Sequence, residues 1–414
     1  NGEELFPFIS FYEKATIEQR DAYMELMEDF ESYSIAGICP WYYLTLFKLL
    51  YVRKYFPGVY GKAAVWLNVP DYINYKLCGV TATDYSEAST TIAFDQSTLT
   101  WSDTVLEKTG IGKEHLPEPM PAGTVLGNIT PEAARQTGLP ENTAVVLGGH
   151  DNVTSCFAAS SGNNDVVTVT GTFESIMIDQ DAPVITRRGM EANLVSEKGV
   201  AEGRHVLIGV QYAGGIIEWI RKTLFSSECE TNESLFAGIE KTGPGSNGLM
   251  MLPHIFGSIT PVQDVYSRGC FTGISDKVTR ADFLRAAVEG INYQTRHIYE
   301  TLTEAAGIAK QEILNIGGAV YSNFWMQNRA DILGVPVKVL DIPEATALGA
   351  AMLAGVGGGV YNSFKAAHSA VQYAVKEFVP DRSCSGLYEE CYTQAFKHLY
   401  PAAKSINHFI SERF

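Results

Sequence analysis

Apolar residues recur at helical spacing over residues 15–32, 42–55 and 66–78, which predicts three helices at the start of the chain. The stretch 83–95, TDYSEASTTIAFD, is small and polar and reads as a loop. Asn128 to Gly138 reads as a capped short helix with Pro131 just inside it. AVVLGG (144–149) is the pattern of a buried strand, and DNVTSCFAAS runs on from His150 as a helix. SSGNND (160–165) gathers turn formers and marks the expected domain boundary, dividing residues 1–161 from 162–414.

The second half alternates more regularly. DVVTVTGTFESIMI predicts two β-branched strands hinged on Gly171 and Thr172. HVLIGVQYAGGIIEWIRKTLF (205–225) reads as strand, Gly-rich turn and amphipathic helix. Residues 280–306 predict one long helix with Leu284, Ala287, Val288, Ile291 and Ile298 on one side. EILNIGGAVYSNFWMQNRADILG (312–334) repeats strand, Gly turn and helix, VPVKVLD is a further strand, and 345–357 is a helix of small residues. Strands alternating with helices through short Gly turns imply α/β layers that bind ligands at strand ends.

Composition narrows the partners. A length of 414 residues suggests two or three domains, and 46% hydrophobic with 19% charged residues allows a sizeable core. The net charge of −16 argues against nucleic acid as a partner. It leaves a phosphorylated ligand open, because backbone amides and metal ions hold phosphate. Seven cysteines with no C-x-x-C pair predict reduced thiols in a cytoplasmic protein without a zinc site. No apolar run reaches membrane-spanning length, and no signal peptide is visible.

Three Gly turns follow strands: TGT (170–172), AGG (213–215) and GGA (317–319). Glycine lets a phosphate approach the backbone. None has the spacing of a P-loop or a dinucleotide fingerprint. Asp151 ends the AVVLGGH run, and two compatible readings stand: a helix N-cap, or a general base for a substrate hydroxyl attacking phosphorus. Asn152 can cap or can bind a polyol, and His150 can be a packed histidine or a second substrate contact. No G-x-S-x-G nucleophile is present. His254 and Asp264 sit in the loop LPHIFGSITPVQD, where a carboxylate is expected in solvent. Glu174 and Glu218, near the Gly turns, are expected as exposed charges at element ends. Trp219 and Trp325 are expected in the core.

GCFTGISDKVTRADFLRAAVE (269–289), GGAVYSNFWMQNRADILGVPVKVLDIPEATALGAAMLAG (317–355) and GGHDN together resemble the FGGY carbohydrate kinases. The resemblance extends over essentially the whole chain. It implies the two-domain actin, hexokinase and Hsp70-like (ribonuclease H-like) ATPase fold, α/β in class, with the ligand cleft between a sugar-binding and a nucleotide-binding domain. It implies ATP and Mg²⁺ as cofactors. Asp151 is implied as the base, His150 and Asn152 beside the sugar, Gly171 and Thr172 at the ATP phosphates, and Gly214 near the phosphates or ribose. Glu218 would stand one turn on, and Gly318 with Ser322 or Asn323 would flank the adenosine. Such kinases open on an Asp-x-Gly-Thr-type phosphate hairpin that is not found here, so residues 1–161 are expected as the remainder of the N-terminal domain, with metal ligands lying in the missing part.

GGHD, TGTFESIMI and YAGGIIEWIRK look nearest to kinases of ketoses of the L-fuculose or D-xylulose type. L-rhamnulose, ribulose, glycerol and gluconate remain as alternative substrates. A small-molecule sugar is the expected partner, with a homodimer allowed, and the 160–165 segment is expected to bend when sugar binds. Two rivals stand beside the kinase. A non-catalytic sugar or nucleotide sensor of the same fold would have no use for a carboxylate at position 151. A hydrolase using His150 and Asp151 would release no ADP.

Overall fold

The computed structural model describes residues 2–11, 13–162, 164–225, 232–318 and 322–414. Its largest sheet has seven strands: β1 (Val166–Thr170), β2 (Phe173–Gln180), β3 (Val195–Lys198), β4 (His205–Tyr212), β5 (Ile313–Ile316), β6 (Val337–Leu340) and β7 (Val375–Phe378). Their order across the sheet is β7-β6-β5-β1-β2-β4-β3. β1, β5 and β6 run parallel, while β2, β4, β3 and β7 pair with their neighbours antiparallel. The parallel strands, β-branched and buried, are those the sequence pattern marks most clearly.

The period of two sorts the strand residues between two cores. Val166, Ile176, Ile178 and Leu207 join Ile298, Tyr299 and Leu302 of the long helix Arg280–Ala306. Val167, Met177, Val206, Ile208 and Ile316 face the opposite way, onto Val153 and Cys156 of helix Asp151–Ala159 and Leu353 of helix Ala345–Gly357. Those two helices touch closely, and a Cβ added at Gly349 would stand 2.3 Å from the Thr154 carbonyl oxygen. The long helix starts at a capping box of Thr279 and Asp282 and stops at Gly307 in the left-handed conformation. Its predicted apolar side is present, but Arg285, Glu289, Asn292, Thr295 and Arg296 are buried as well. The helix runs through protein on nearly every side, and its polar residues bond across it.

The N-terminal layer is built differently. Helices Ile17–Leu26, Asp29–Ala36 and Thr45–Tyr55 close a core around Phe47, Ile92, Phe94 and Trp101. The single pattern over 15–32 is broken between two helices, where the Glu28 side chain caps the second by accepting the Glu31 amide. Strand pairs here are short: Ala82–Asp84 beside Glu118–Met120, and Val125–Asn128 beside Ala144–Val146.

Residues 83–95 are not a surface loop. Asp84 caps the helix Tyr85–Ser89, accepting the Ser86 and Glu87 amides and the Ser86 hydroxyl. Asp84, Ser86 and Ser89 are buried because they satisfy one another and Gln96. The loop carboxylate Asp264 is also buried, accepting from the Tyr400 hydroxyl at 2.9 Å and lying 2.8 Å from His408 Nε2. The C-terminal helix Lys397–Ser411 brings those partners, which distance along the chain conceals.

Candidate active site

The three Gly turns meet. β1 and β2 pair out to Thr170 and Glu174, leaving Gly171 and Thr172 exposed at the tip of the hairpin. The start of helix Gly214–Leu224 braces that tip from one side. Ala213 and Gly215 donate their amides to the Thr172 carbonyl at 3.1 and 3.2 Å, and Gly214 donates to Gly171 at 2.9 Å. A Cβ at Gly214 would stand 2.5 Å from the Gly171 carbonyl oxygen. Gly317 arrives from the other side with φ +97°, where an added Cβ would lie 2.7 Å from the Thr170 carbonyl oxygen. The second turn thus holds up the hairpin, and its own amides are engaged in doing so. Ala319, the last residue of the third turn, lies outside the described residues.

Beneath the hairpin lies a polar core. Glu174, expected at the surface, is fully buried and ion-paired with fully buried Arg329 of helix Asn323–Leu333. Glu174 also accepts from Thr170, Gln211 and Thr295 at 2.6–2.7 Å. Arg329 donates to Asn315 at 2.5 Å and to Asn292 at 3.1 Å. The chain of bonds goes on through Asn292, Asn328 and Tyr388 to Glu289, which accepts from the Ser246 hydroxyl. Each buried charge has its donors or acceptors, which is the condition for tolerating it there.

His150, Asp151 and Asn152 stand where the strand Ala144–Val146 hands over to helix Asp151–Ala159. The residue in the N-cap position is His150, and Asp151 is the first helical residue. Capping therefore does not account for the aspartate. Its Oδ1 accepts the amide of Asn152 at 2.6 Å and lies 3.3 Å from His150 Nε2. Among the described residues no donor reaches Oδ2, and the side chain is 75% exposed. Asn152 turns inward, its Oδ1 accepting from Ser175 of β2 at 3.3 Å. The aspartate is thereby tied to the strand that leaves the Gly171–Thr172 tip.

His150 is held on three sides. Its amide donates to the Ser86 hydroxyl at 2.9 Å, and its Nδ1 lies 2.8 Å from Glu197 Oε2 on β3. Burial alone would lower its pKa. The charge and hydrogen bond of Glu197, with Glu87 and Asp151 adding to them, outweigh burial and raise it to about 10. The pKa values of the neighbouring acids also rise, for lack of water: burial raises Asp84 to about 6 and Glu87 to about 7.

The remaining candidates have local partners. Glu218 pairs with Arg221 and Lys222 on its own helix, and the Arg221 hydrogen bond leads in drawing its pKa down to about 2. Ser322 caps helix Asn323–Leu333 by accepting the Trp325 amide. Asn323 accepts from Lys376 at 2.6 Å. A Cβ added at Gly318 would touch the Thr170 carbonyl oxygen at 4.0 Å. Trp325 is in the core, and Trp219 packs against it. Glu197 and Arg329 escaped the sequence reading. The one available signal for Glu197 was a charged pair, Glu197 and Lys198, inside a short strand. Among the described residues no group of three or more His, Cys, Asp or Glu is gathered as a metal site.

Residues 1–158 match the model of the N-terminal domain of the FGGY family of carbohydrate kinases, and residues 166–358 match the model of its C-terminal domain. The chain belongs to the FGGY family of carbohydrate kinases. It is an ATP-dependent sugar kinase with the two-domain actin-like, ribonuclease H-like fold. The expected N-terminal sugar domain, residues 1–161, is matched by the N-terminal family model over residues 1–158. Over 384 residues the chain is 29% identical to L-fuculokinase of Escherichia coli K12, covering 92% of this chain and 78% of that protein. It is 30% identical to xylulose kinase of Staphylococcus epidermidis over 368 residues, 87% of this chain and 72% of that one. Among solved structures, xylulose kinase from Rhodospirillum rubrum superposes with a TM-score of 0.83 at 26% identity, covering 95% of this chain and 78% of that one. Gluconate kinase from Lactobacillus acidophilus has the same fold, with a TM-score of 0.87 at 23% identity over 95% of this chain and 79% of that one.

Proposed function

We propose that this kinase phosphorylates a ketose of the L-fuculose or D-xylulose type, with Asp151 as general base. The observation that carries the base is the asymmetry of its carboxylate: Oδ1 is held by Asn152 and His150, while Oδ2 meets no donor among the described residues, at the start of the helix whose Asn152 reaches Ser175 of the hairpin strand β2. The sugar hydroxyl gives its proton to Oδ2 as its oxygen attacks the γ-phosphorus. The bond to the β–γ bridging oxygen breaks, and ADP leaves with the electron pair. His150 and Asn152 lie beside the sugar. Gly171 and Thr172 approach the phosphates, Gly214 supports them from behind, and Glu218 stands one turn further on. Gly318, Ser322 and Asn323 flank the adenosine.

Mg²⁺ fits as an ion held chiefly by the phosphates of ATP. Such an ion needs only one or two carboxylates and water from the protein, and among the described residues no cluster of acids is gathered to hold it without the phosphates. When bound it neutralises charge on the β- and γ-phosphate oxygens. The domains are proposed as residues 1–161 for sugar and 162–414 for nucleotide. Cytoplasmic placement is supported by the six described cysteines, all free thiols. No helix among the described residues is long and apolar enough to cross a membrane. A homodimer is proposed alongside, supported by exposed Ile406, Phe409 and Phe414 at the C-terminus, and sedimentation would read it as twice the chain mass.

The ketose reading rests on the named relatives and on His150 beside the aspartate. An ADP-release assay with Mg²⁺ and ATP over L-fuculose, D-xylulose, L-rhamnulose, D-ribulose, glycerol and gluconate tests it. Turnover is expected on one of the first two sugars, and turnover confined to glycerol or gluconate overturns the assignment.

A further inference from the structure

We propose that Glu197 is a positioning residue for phosphoryl transfer: it fixes the His150 ring so that Nε2 holds one oxygen of Asp151 and leaves the other free for the sugar hydroxyl. The inference rests on the reading of Asp151 as base.

Three observations carry it. First, the groups form a line that runs from interior to solvent. The Glu197 side chain is 5% exposed, His150 23% and Asp151 75%, with contacts of 2.8 and 3.3 Å along the way. A base oriented by a third, buried group is the recurring arrangement wherever a side chain must accept a proton in one direction. Second, the anchor is itself fixed. β3 lies at the sheet edge but is tied to the N-terminal layer: Ser196 donates its amide to Gly37 at 2.8 Å, and the Tyr33 hydroxyl donates to the Leu194 carbonyl at 3.0 Å. Glu197 therefore belongs to one proposed domain while His150 and Asp151 end the other, so the contact sets the base relative to both. Third, burying a carboxylate is costly without a cation, and among the described residues His150 is the only cationic partner recorded for Glu197. A purely structural pair would need Nδ1 alone, whereas here Nε2 also faces an acid.

The surroundings keep the ring charged. The groups facing His150 are Glu197 from β3, Asp84 and Glu87 from the segment at the start of helix Tyr85–Ser89, and Asp151 from its own helix. All are acidic. A doubly protonated imidazole donates from Nδ1 to Glu197 and faces Asp151 Oδ1 with the charge of its Nε2 end, 3.3 Å away, so it holds both carboxylates without competing for the sugar's proton.

The test uses the whole chain with the sugar that the panel selects. Glu197→Gln keeps the shape and removes the charge. We expect kcat to fall roughly 10–100-fold, part of the 10²–10⁴ that a positioned base contributes. The KM for sugar should stay within about threefold of the parent's. The alkaline limb of kcat should move down, because His150 loses its charge closer to its ordinary value of about 6.5. NMR of ¹⁵N-labelled imidazoles reads the same change without turnover. His150 should stay charged through pH 8 in the parent and titrate below that in the variant. Glu197→Asp should restore part of both readouts. If Glu197→Gln does not fold, His150→Gln should give the same loss of kcat with ATP still bound. A Glu197→Gln protein whose kcat and alkaline limb match the parent's overturns the proposal, as does full activity in His150→Gln. Asp151→Ala separates the two readings. Retained turnover there removes the base itself, whereas a silent Asp151→Ala beside a fully active Glu197→Gln removes only the positioning.

Discussion

Asp151 and Glu174 are both acids next to the Gly171–Thr172 hairpin, and they could hardly differ more. Asp151 starts a helix, is 75% exposed and has an oxygen with no protein donor among the described residues. Glu174 opens β2, is wholly buried, and has both oxygens engaged by Arg329, Thr170, Gln211 and Thr295. An acid that is fully satisfied can shape a site but has no lone pair left for a substrate. An acid held at one oxygen and open at the other can take a proton. The contrast assigns the chemistry to Asp151 and the architecture to Glu174, and substitutions can break that division.

The largest effect should come at Asp151. Asp151→Ala is expected to lower kcat by roughly 10²–10⁴ while nucleotide affinity stays nearly unchanged. Rapid-quench turnover with calorimetric ADP binding reads both. If the division were false and Asp151 a structural cap, the variant would lose stability and keep its rate. Arg329 should show the opposite profile. Arg329→Met leaves Glu174 charged and unpaired in the core, which costs on the order of 3–5 kcal/mol, visible as a lower urea midpoint. Replacing both members by apolar residues should be the milder change, because no lone charge remains. A double variant as unstable as Arg329→Met would show that the hydrogen-bonded network matters more than the ion pair.

The hairpin itself lies between the two acids. Gly214→Ala places a Cβ where the Gly171 carbonyl oxygen already stands, 2.5 Å away, and neither backbone can yield without moving the tip. We expect the KM for ATP to rise about tenfold, some 1.4 kcal/mol, with the sugar KM little changed. An unaltered KM for ATP would mean that the tip does not carry the phosphates. Gly386→Ala, on helix Arg382–Cys391, where an added Cβ meets nothing within 4 Å, is the matched control.

These contrasts were unequally legible in the sequence. The strands and helices of the C-terminal layer, the three Gly turns and Asp151 as an acid out of place could all be read from local pattern, while the placing of TGT and AGG at one site came only from the family resemblance. Periodicity and glycine are local signals, and here nothing opposed them. Glu174, Asp264 and the 83–95 segment were misjudged for a common reason. A polar residue is buried when partners arrive from far along the chain: Arg329 for Glu174, Tyr400 and His408 for Asp264. Glu197 was invisible on the same ground, since its meaning comes from His150, 47 residues away.

A third acid sharpens the comparison. Asp71 is buried like Glu174 but has no cation among its recorded partners. It joins the capping box of helix Val69–Cys78 by accepting the Asn68 amide at 3.3 Å. Burial first, and the nearby charge of Glu87 second, raise its pKa to about 8 from an ordinary 3.8. The folded state therefore binds this proton more tightly than the unfolded chain does. The stability that the proton supplies is complete below about pH 3.8 and is lost as pH rises to about 8. Inside that window the slope approaches 1.4 kcal/mol per pH unit, roughly, for one such group. Asp71→Asn has no proton to lose, so its urea midpoint should fall less steeply than the parent's between pH 5 and 8, and the variant should be the more stable protein at pH 8. Parallel curves would mean that Asp71 ionises in the folded protein as it does in water. Burial without a cation would then not be what separates a structural acid from a reactive one in this fold.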